Sequence, residues 1–154
     1  RQMCIRDRIR RISSKRRGDS FMASDLSYED LASREIEKYL YERKEDETID
    51  GVECFVVEVR PSGKVESSYQ KHLSWINKST LSVVKEESYD KRGELLKVKK
   101  FIHKKIKDYY IMSEIYVENV QKNHSTKLVI NKMEVDLGVK ASLFQEKNLK
   151  RLPR

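Results

Sequence analysis

The fold is decided by residues 69–102, which read YQKHLSWINKSTLSVVKEESYDKRGELLKVKKFI. Large apolar side chains recur two residues apart, as at Leu73 and Trp75, and this is the period of a β-strand with one buried face. Residues 77–80 and 90–93 interrupt the period with side chains that favour turns. The stretch therefore predicts three antiparallel strands joined by two tight turns, with one apolar face.

The pattern of strands and turns continues outside this stretch. Asp50-Gly51 is a strong signal for a hairpin turn, and residues 52–59 follow as the most hydrophobic strand, with apolar side chains on both faces. Residues 126–137 predict the last strand, with a bulge near Asn131. Because each strand is short and each connection resembles a hairpin, we expect the order of strands in space to follow their order in the sequence.

One short helix is predicted at residues 27–33. Ser27 is a good N-cap, and Glu29 and Asp30 place negative charge in the first turn, where it interacts favourably with the helix dipole. From Glu35 the pattern becomes extended again. The chain is therefore predicted to be mainly β, as an antiparallel meander with one short helix.

The composition favours a sheet with one face in water. Of the 154 residues, 38% are hydrophobic and 38% are charged. This balance suits one domain built around a single curved sheet, because half of each strand can then face solvent. No apolar run approaches the roughly 18 residues of a membrane-spanning helix, so no such helix is predicted.

The net charge of +8 is concentrated at the N-terminus. Residues 1–20 contain eight Lys and Arg against two Asp, so they account for +6 of it, and the other residues carry only +2. Along the strands the charges alternate in sign, which is typical of a solvated face. Aromatic residues are not interleaved with a basic stripe, so nucleic-acid binding is not predicted for the body of the chain. A module that binds nucleic acid or an anionic surface through its basic tail is a further alternative.

The first residues differ in character from the rest of the chain. The sequence begins with Arg1 rather than Met, and residues 1–8, RQMCIRDR, are similar to translated sequencing-adapter read-through. We therefore expect residues 1–8 to be a non-native leader, and residues 9–154 to be a single domain that lacks its N-terminal part. With Cys4 set aside, Cys54 stands alone in an apolar strand and is expected to be a buried thiol.

The sequence contains no recognisable catalytic or metal-binding motif. His72, His103 and His124 lie in three separate segments, and none has the spacing of a metal ligand. There is no Gly-x-Ser-x-Gly elbow and no glycine-rich phosphate loop, and Cys54 has no recognisable cationic activator. Most carboxylates stand beside Lys or Arg at positions expected to be exposed. We therefore predict a protein that is not an enzyme and that uses no metal or cofactor.

A series of short motifs follows in a fixed order from about residue 9 to the end of the chain. The motifs are RRISS at 10–14, DSFM at 19–22, DLSYEDL at 25–31, DGVECFVVE at 50–58, LSWINK at 73–78, YDKRGEL at 89–95, DYY at 108–110, ENV at 118–120 and SLF at 142–144. Each is weak alone, but the ordered series resembles the outer membrane lipoprotein-sorting proteins of the LolA-like type.

The resemblance implies both a fold and a function. The fold is an incomplete, half-open antiparallel β-barrel with an apolar concave side, partly plugged by helices. The implied function is that of a monomeric periplasmic carrier or chaperone, which binds acyl chains of lipoproteins or other lipids for outer-membrane lipoprotein sorting. An inner-membrane exporter and an outer-membrane acceptor are the implied partners. The alternative on the same fold is a periplasmic regulator that senses lipids or proteins.

Nine apolar residues are predicted to line the ligand cavity. An apolar concave face binds lipid by removing apolar area from water, at about 0.8 kcal/mol per buried methylene. The alternative is that these residues pack against a helix, and for Trp75 the large ring area favours the core. The nine residues are Phe55, Val57, Leu73, Trp75, Val83, Leu96, Val98, Ile115 and Val117.

Overall fold

The computed structural model describes residues 12–145, and within them an open antiparallel sheet of eight strands forms the body of the molecule. The predicted leader at residues 1–8 lies outside the described residues. The strands are β1 Tyr39–Arg43, β2 Glu47–Ile49, β3 Val52–Pro61, β4 Lys71–Asn77, β5 Val83–Tyr89, β6 Leu95–Ile106, β7 Tyr109–Asn119 and β8 His124–Val129. The helices are α1 Tyr28–Leu31 and three 3₁₀ turns at Ser14–Arg16, Ile36–Lys38 and Ala141–Phe144.

The strands lie side by side in their order along the chain. The order is β1-β3-β4-β5-β6-β7-β8, and β2 pairs with the part of β3 that β1 leaves free. This confirms the predicted meander and the mainly β fold class, with a sheet that does not close. Within residues 12–145, no helix is long and apolar enough to cross a membrane.

The last strand is shorter than predicted. β8 ends at Val129, so the predicted strand over 126–137 is confirmed for residues 126–129 only. Residues 130–140 belong to no strand, and the predicted bulge near Asn131 is wrong. The backbone N–H of Ile130 makes one more bond, to the carbonyl of Ser113 at 2.9 Å. The apolar residues beyond it were assigned to a strand by their spacing alone, without a partner strand to pair with.

The helix and the first hairpin turn form where the sequence predicts them. The Ser27 side chain accepts a hydrogen bond from the backbone N–H of Asp30 at 3.2 Å, and the Asp30 carboxylate accepts one from the N–H of Ser27 at 2.8 Å. This reciprocal capping box starts α1. Asp50 and Gly51 both have positive φ, of 49° and 79°, as a two-residue hairpin turn requires.

The register gives the sheet two different faces. Directly paired residues share a face, and consecutive partners on one face are Trp75, Lys85 and Lys100. We call this the cavity face. The neighbouring row, which includes Glu86 and Lys99, points the opposite way.

Residues 21–34, called the strap, pack on this second face, which we call the strap face. The buried residues Leu26 of the strap and Ile115 and Val117 of β7 form its apolar core. The cavity face has a separate buried cluster made by Cys54, Val56 and Trp75. Cys54 is a buried free thiol, as predicted.

Candidate functional site

A cavity with a volume of about 710 Å³ lies on the cavity face. Ile49 and Val52 line it from the β2–β3 hairpin, and Lys127 lines it from β8. Since β2 and β8 stand at opposite ends of the sheet, the sheet must curl around this space. A volume of this size is within the range of roughly 300–1,000 Å³ that small-molecule sites occupy.

The apolar part of the cavity is built on the buried cluster of this face. Ile49, Val52 and Val84 line the cavity and also pack against Cys54, Val56 and Trp75. Ile102 of β6 continues the apolar lining and is 52% exposed, although it is a large aliphatic residue. Exposed aliphatic groups in a concave site are the ordinary basis of acyl-chain binding, because a ligand chain removes them from water.

A row of residues crosses the cavity face from β3 to β8. Each member pairs directly with the next, so the side chains form one continuous line. The row contains three lysines and two aromatic residues beside one valine. Its members are Val56, Trp75, Lys85, Lys100, Tyr116 and Lys127.

Trp75 is a buried member of this row and is not among the described residues that line the cavity. It is 4% exposed, and its Nε1–H donates a hydrogen bond to Glu47 Oε2 at 2.9 Å. The Nζ atom of Lys85 lies 4.2 Å from the centroid of its ring, which is the geometry of a cation–π contact. Trp75 therefore belongs to the core and fixes the position of one of the lysines.

Two of the three lysines of this row form ion pairs with glutamates. Lys85 Nζ lies 2.7 Å from a Glu87 oxygen, and Lys127 Nζ lies 2.6 Å from a Glu114 oxygen. The hydrogen bond from Lys127 lowers the pKa of Glu114, so this carboxylate is charged at neutral pH. The exposed side chain of Lys100 makes no ion pair or hydrogen bond with any residue in the described range 12–145.

The nine predicted cavity residues are divided between the two faces. Leu73, Trp75 and Val98 lie on the cavity face, since Leu73 and Val98 both pair with Glu87 in the row next to Lys85. Five others lie on the strap face or pair directly with residues of that face. They are Phe55, Val57, Val83, Ile115 and Val117. Leu96 lies at a register shift of β6 and lines a smaller cavity beside the strap.

None of these nine is among the described residues that line the 710 Å³ cavity. Ile115 and Val117 are apolar because they pack beneath Leu26 of the strap, and Phe55 lies under the side chains of Arg43 and Lys78. The sequence missed Ile49, Val52, Val84, Ile102 and Tyr116, which line the cavity. Ile102 lies in the central stretch 69–102, but no local signal shows which side of a strand the sheet curls toward.

The strap face contains a buried ionic network. The Asp30 carboxylate receives Lys97 Nζ at 2.9 Å and also binds Lys99 Nζ. Lys99 Nζ lies 3.0 Å from a Glu86 oxygen. The Arg34 guanidinium donates two hydrogen bonds to the Glu86 carboxylate, of 2.7 and 2.8 Å. These charges were interpreted as a solvated face, and that interpretation is wrong for Glu86, Lys97 and Lys99, which are buried.

The network keeps its carboxylates charged. Burial alone would raise the pKa of Asp30, but Lys99 and Lys97 hold that pKa far below its usual value. Burial likewise opposes the charge of Glu86, and Lys99 and Arg34 overcome this and lower its pKa. Both acids therefore remain ionised at neutral pH. The network ties the strap to β5 and β6 by ion pairs in addition to apolar contacts.

No group of three or more His, Cys, Asp or Glu within residues 12–145 is arranged to hold a metal ion. His72 is buried and hydrogen-bonds to Ser88 Oγ at 2.9 Å, and His124 is paired with Asp25 at 2.7 Å. Burial raises the pKa of the Cys54 thiol, which keeps it protonated and unreactive.

Comparison with family models places the chain in a family. A family model described as “Uncharacterized protein” matches residues 5–151. A search of curated proteins gave no match.

Three solved structures resemble the chain. An outer membrane lipoprotein-sorting protein domain from Vibrio parahaemolyticus shares 36% identity with a TM-score of 0.87, over 94% of this chain and 62% of that one. A DUF1329 family protein from Desulfovibrio piger shares 30% identity with a TM-score of 0.85, over 91% and 59% of the two chains. A LolA superfamily protein from Nitrosomonas europaea has 21% identity and a TM-score of 0.68, over 85% and 60%, and shows the fold alone. The chain spans about three fifths of the length of each of these structures.

Proposed function

We propose that this chain, which belongs to a LolA-like family, is a periplasmic carrier that binds acyl chains in the cavity of its curved sheet. The acyl chains are those of lipoproteins or of other lipids. The protein acts by binding and release, and it is a carrier rather than an enzyme.

The observation that supports this proposal is the apolar lining of the 710 Å³ cavity, in which Ile102 is exposed and Ile49, Val52 and Val84 are partly buried. Val84 and Ile102 come from neighbouring strands of the sheet, and Ile49 faces them from the β2–β3 hairpin. An acyl chain placed between them loses contact with water on two sides, at about 0.8 kcal/mol of favourable free energy per buried methylene. About eight buried methylenes would thus supply roughly 6 kcal/mol before the cost of ordering the chain.

A carrier must also release its ligand. The cavity lies in an open sheet whose two edge regions, β2 and β8, both contribute to the lining. A small change in the curl of the sheet would widen the cavity without breaking any strand pair. In this proposal an inner-membrane exporter loads the carrier and an outer-membrane acceptor unloads it, and the carrier works as a monomer.

The proposal is tested by titrating the chain of residues 1–154 with a pyrene-labelled acyl probe. We expect saturable binding, and we expect Ile102→Asp to weaken it at least about tenfold, since a charge in the lining must be desolvated when the probe binds. Ile102 is half exposed without ligand, so its substitution should leave the fold intact.

Ile36→Asp is the matched control, because Ile36 is 76% exposed and lies in the 3₁₀ turn before β1, outside the cavity lining. It should bind the probe as the parent chain does. Equal probe binding by the parent chain and a folded Ile102→Asp variant would overturn the assignment of this cavity, and absence of binding by the parent would overturn the carrier function.

A further inference from the structure

Two lysines stand directly opposite each other in the lining of the cavity. Lys85 of β5 and Lys100 of β6 are register partners on the cavity face, and both line the 710 Å³ space. Like charges at directly opposed positions of a sheet repel each other and are destabilising. Such a pair therefore lowers the stability of the fold unless a negative charge near the two ammonium groups offsets their repulsion.

The compensation within the protein is one-sided. Glu87 neutralises Lys85, whose Nζ also lies over the Trp75 ring. The exposed side chain of Lys100 has no acidic or hydrogen-bonding partner among residues 12–145, although all three of its Nζ–H groups can donate. At this point of the row, the positive charge of Lys100 is therefore not neutralised by a nearby carboxylate in the described part of the chain.

Tyr116 follows Lys100 in the same row and adds a second unused donor. It is the direct partner of Lys100 on β7, it lines the cavity, and it is 39% exposed. Its hydroxyl makes no hydrogen bond within the part of the chain that the structure describes. Ile102, two residues beyond Lys100 on β6, also lines the cavity, so the unused donors border apolar surface.

We propose that the cavity selects an amphiphile with a single anionic headgroup, which is a carboxylate or a phosphate bound by Lys100 and Tyr116 beside Lys85. The acyl chain lies against Ile102 and Val84. The inference rests on the proposed carrier function and specifies the ligand class of the same site. A charge-assisted hydrogen bond from an ammonium to such a headgroup is about twice as strong as a neutral one, which gives preference over an uncharged headgroup.

The acidic residues around the row limit the ligand to one negative group. Glu47, Asp50 and Glu114 line the same cavity. An extended polyanion lying along the lysine row would meet these carboxylates at several points and be repelled, since like charges in close proximity cost binding energy. A compact headgroup placed between Lys85 and Lys100 avoids them.

Trp75 provides a local signal for the test. It is the one tryptophan of the 154-residue sequence, and the ammonium over its ring belongs to Lys85. A headgroup that binds Lys85 and Lys100 moves a charge close to the indole, so we expect its fluorescence to change on titration. Dodecanoate, dodecyl phosphate, dodecyl maltoside and dodecyltrimethylammonium share one chain length and differ in their headgroups. Each is titrated into the chain of residues 1–154 below its micellar concentration.

We expect the two anions to bind at least about tenfold more tightly than the neutral ligand, which corresponds to about 1.4 kcal/mol. Lys100→Gln should remove this preference, while Lys100→Arg should keep it. Lys91→Gln is the matched control, since Lys91 is an exposed lysine in the turn between β5 and β6, outside the cavity lining. Comparison of dodecanoate with dodecyl phosphate separates the two headgroup sources.

Equal affinity for anionic, neutral and cationic ligands would overturn this inference and leave the carrier function standing. Absence of binding by all four ligands would overturn the carrier function together with it. Tighter binding of a polyphosphate or an oligonucleotide than of either dodecyl anion would also overturn it, because the acidic residues of the lining are then not limiting the ligand.

Discussion

Lys99 is 2% exposed, and it remains in the strap face because two carboxylates surround it. An isolated ammonium costs several kcal/mol to bury, whereas a paired one recovers most of that cost through short-range attraction. Asp30 comes from the strap and Glu86 from β5, so Lys99 on β6 links the strap to two strands that are distant from it in sequence. Neutralising either carboxylate would leave an uncompensated buried charge.

His72 is buried beside this network and is expected to make the fold sensitive to mild acid. Burial lowers the pKa of His72 to about 4, and the nearby Arg34 and Lys99 add to this, while Glu86 opposes it. The unfolded chain binds a proton at His72 below about pH 6.5, whereas the folded chain does not until about pH 4, so stability falls as pH decreases through this range. We expect the free energy of unfolding to drop by roughly 2 kcal/mol between pH 7 and pH 5 from this residue.

Urea denaturation at pH 7, 6 and 5 measures this change for the parent chain and for His72→Gln. The variant should show a flatter dependence on pH across this range, whatever its stability at pH 7. A smaller slope should persist in the variant, because burial also lowers the pKa of His103. If the parent and the variant lost the same amount of stability between pH 7 and pH 5, His72 would not be the group responsible.

At the scale of elements, local signals in the sequence were sufficient for the turns and the helix. Asp50-Gly51 and the glycine at Gly93, whose φ is 83°, both form the predicted turns, and Ser27 caps α1. Each of these signals depends on the backbone preferences of a few adjacent residues. The prediction of three strands within residues 69–102 succeeded for the same reason, since the two-residue period is local.

The β2–β3 turn offers a direct test of such a local preference. Gly51 has φ of 79°, and no atom lies within 4 Å of the position where an added Cβ would stand. Gly51→Ala should therefore cost about 1–2 kcal/mol through left-handed backbone conformation alone, without any steric clash. Asp50→Asn should leave stability unchanged, because Asn-Gly suits the same type of turn.

Thermal and urea unfolding of the two variants beside the parent chain measure these effects. A loss of stability in Asp50→Asn equal to that in Gly51→Ala would show that the Asp50 carboxylate, rather than the backbone conformation, holds the turn.

The features that the sequence did not predict depend on long-range packing. Lys97, Lys99 and Glu86 lie in strands where charges alternate with apolar residues, which is the ordinary pattern of a solvated face. They are buried because the strap crosses that face, and the strap is separated from them by more than 50 residues along the chain. The packing of the strap also explains why the nine predicted cavity residues are divided between the faces. Ile115 and Val117 contact Leu26 of the strap and therefore do not face the cavity.

At the scale of the whole molecule, the two faces of the sheet differ in what covers them. The strap face binds the strap through an apolar core and the Asp30 network, and the cavity face presents exposed apolar groups and unpaired donors. A single sheet layer separates them, so residues of one face do not contact a ligand on the other. Stability and ligand binding should therefore be separable by substitution.

Asp30→Asn is the substitution that distinguishes the two roles. Removing one partner from a buried ion-pair network costs about 3–5 kcal/mol, so we expect the free energy of unfolding to fall by that amount. The dissociation constant for dodecanoate should stay within about twofold of the parent value, since effects of distant sites are additive to within about 0.5 kcal/mol. Ile102→Asp should show the converse, with weak binding and little change in stability.

Urea denaturation gives the stability of each variant, and titration at a temperature where circular dichroism shows a folded chain gives the affinity. Lys99 and Lys100 are adjacent on β6 and lie on opposite faces of the sheet, so they allow the two faces to be compared directly. Lys99→Met and Lys100→Met extend the comparison with one residue type, and only the first should destabilise the fold while only the second should weaken dodecanoate binding. A folded Asp30→Asn or Lys99→Met chain that no longer bound dodecanoate would mean that the strap controls the cavity through the sheet, and that the two faces are coupled.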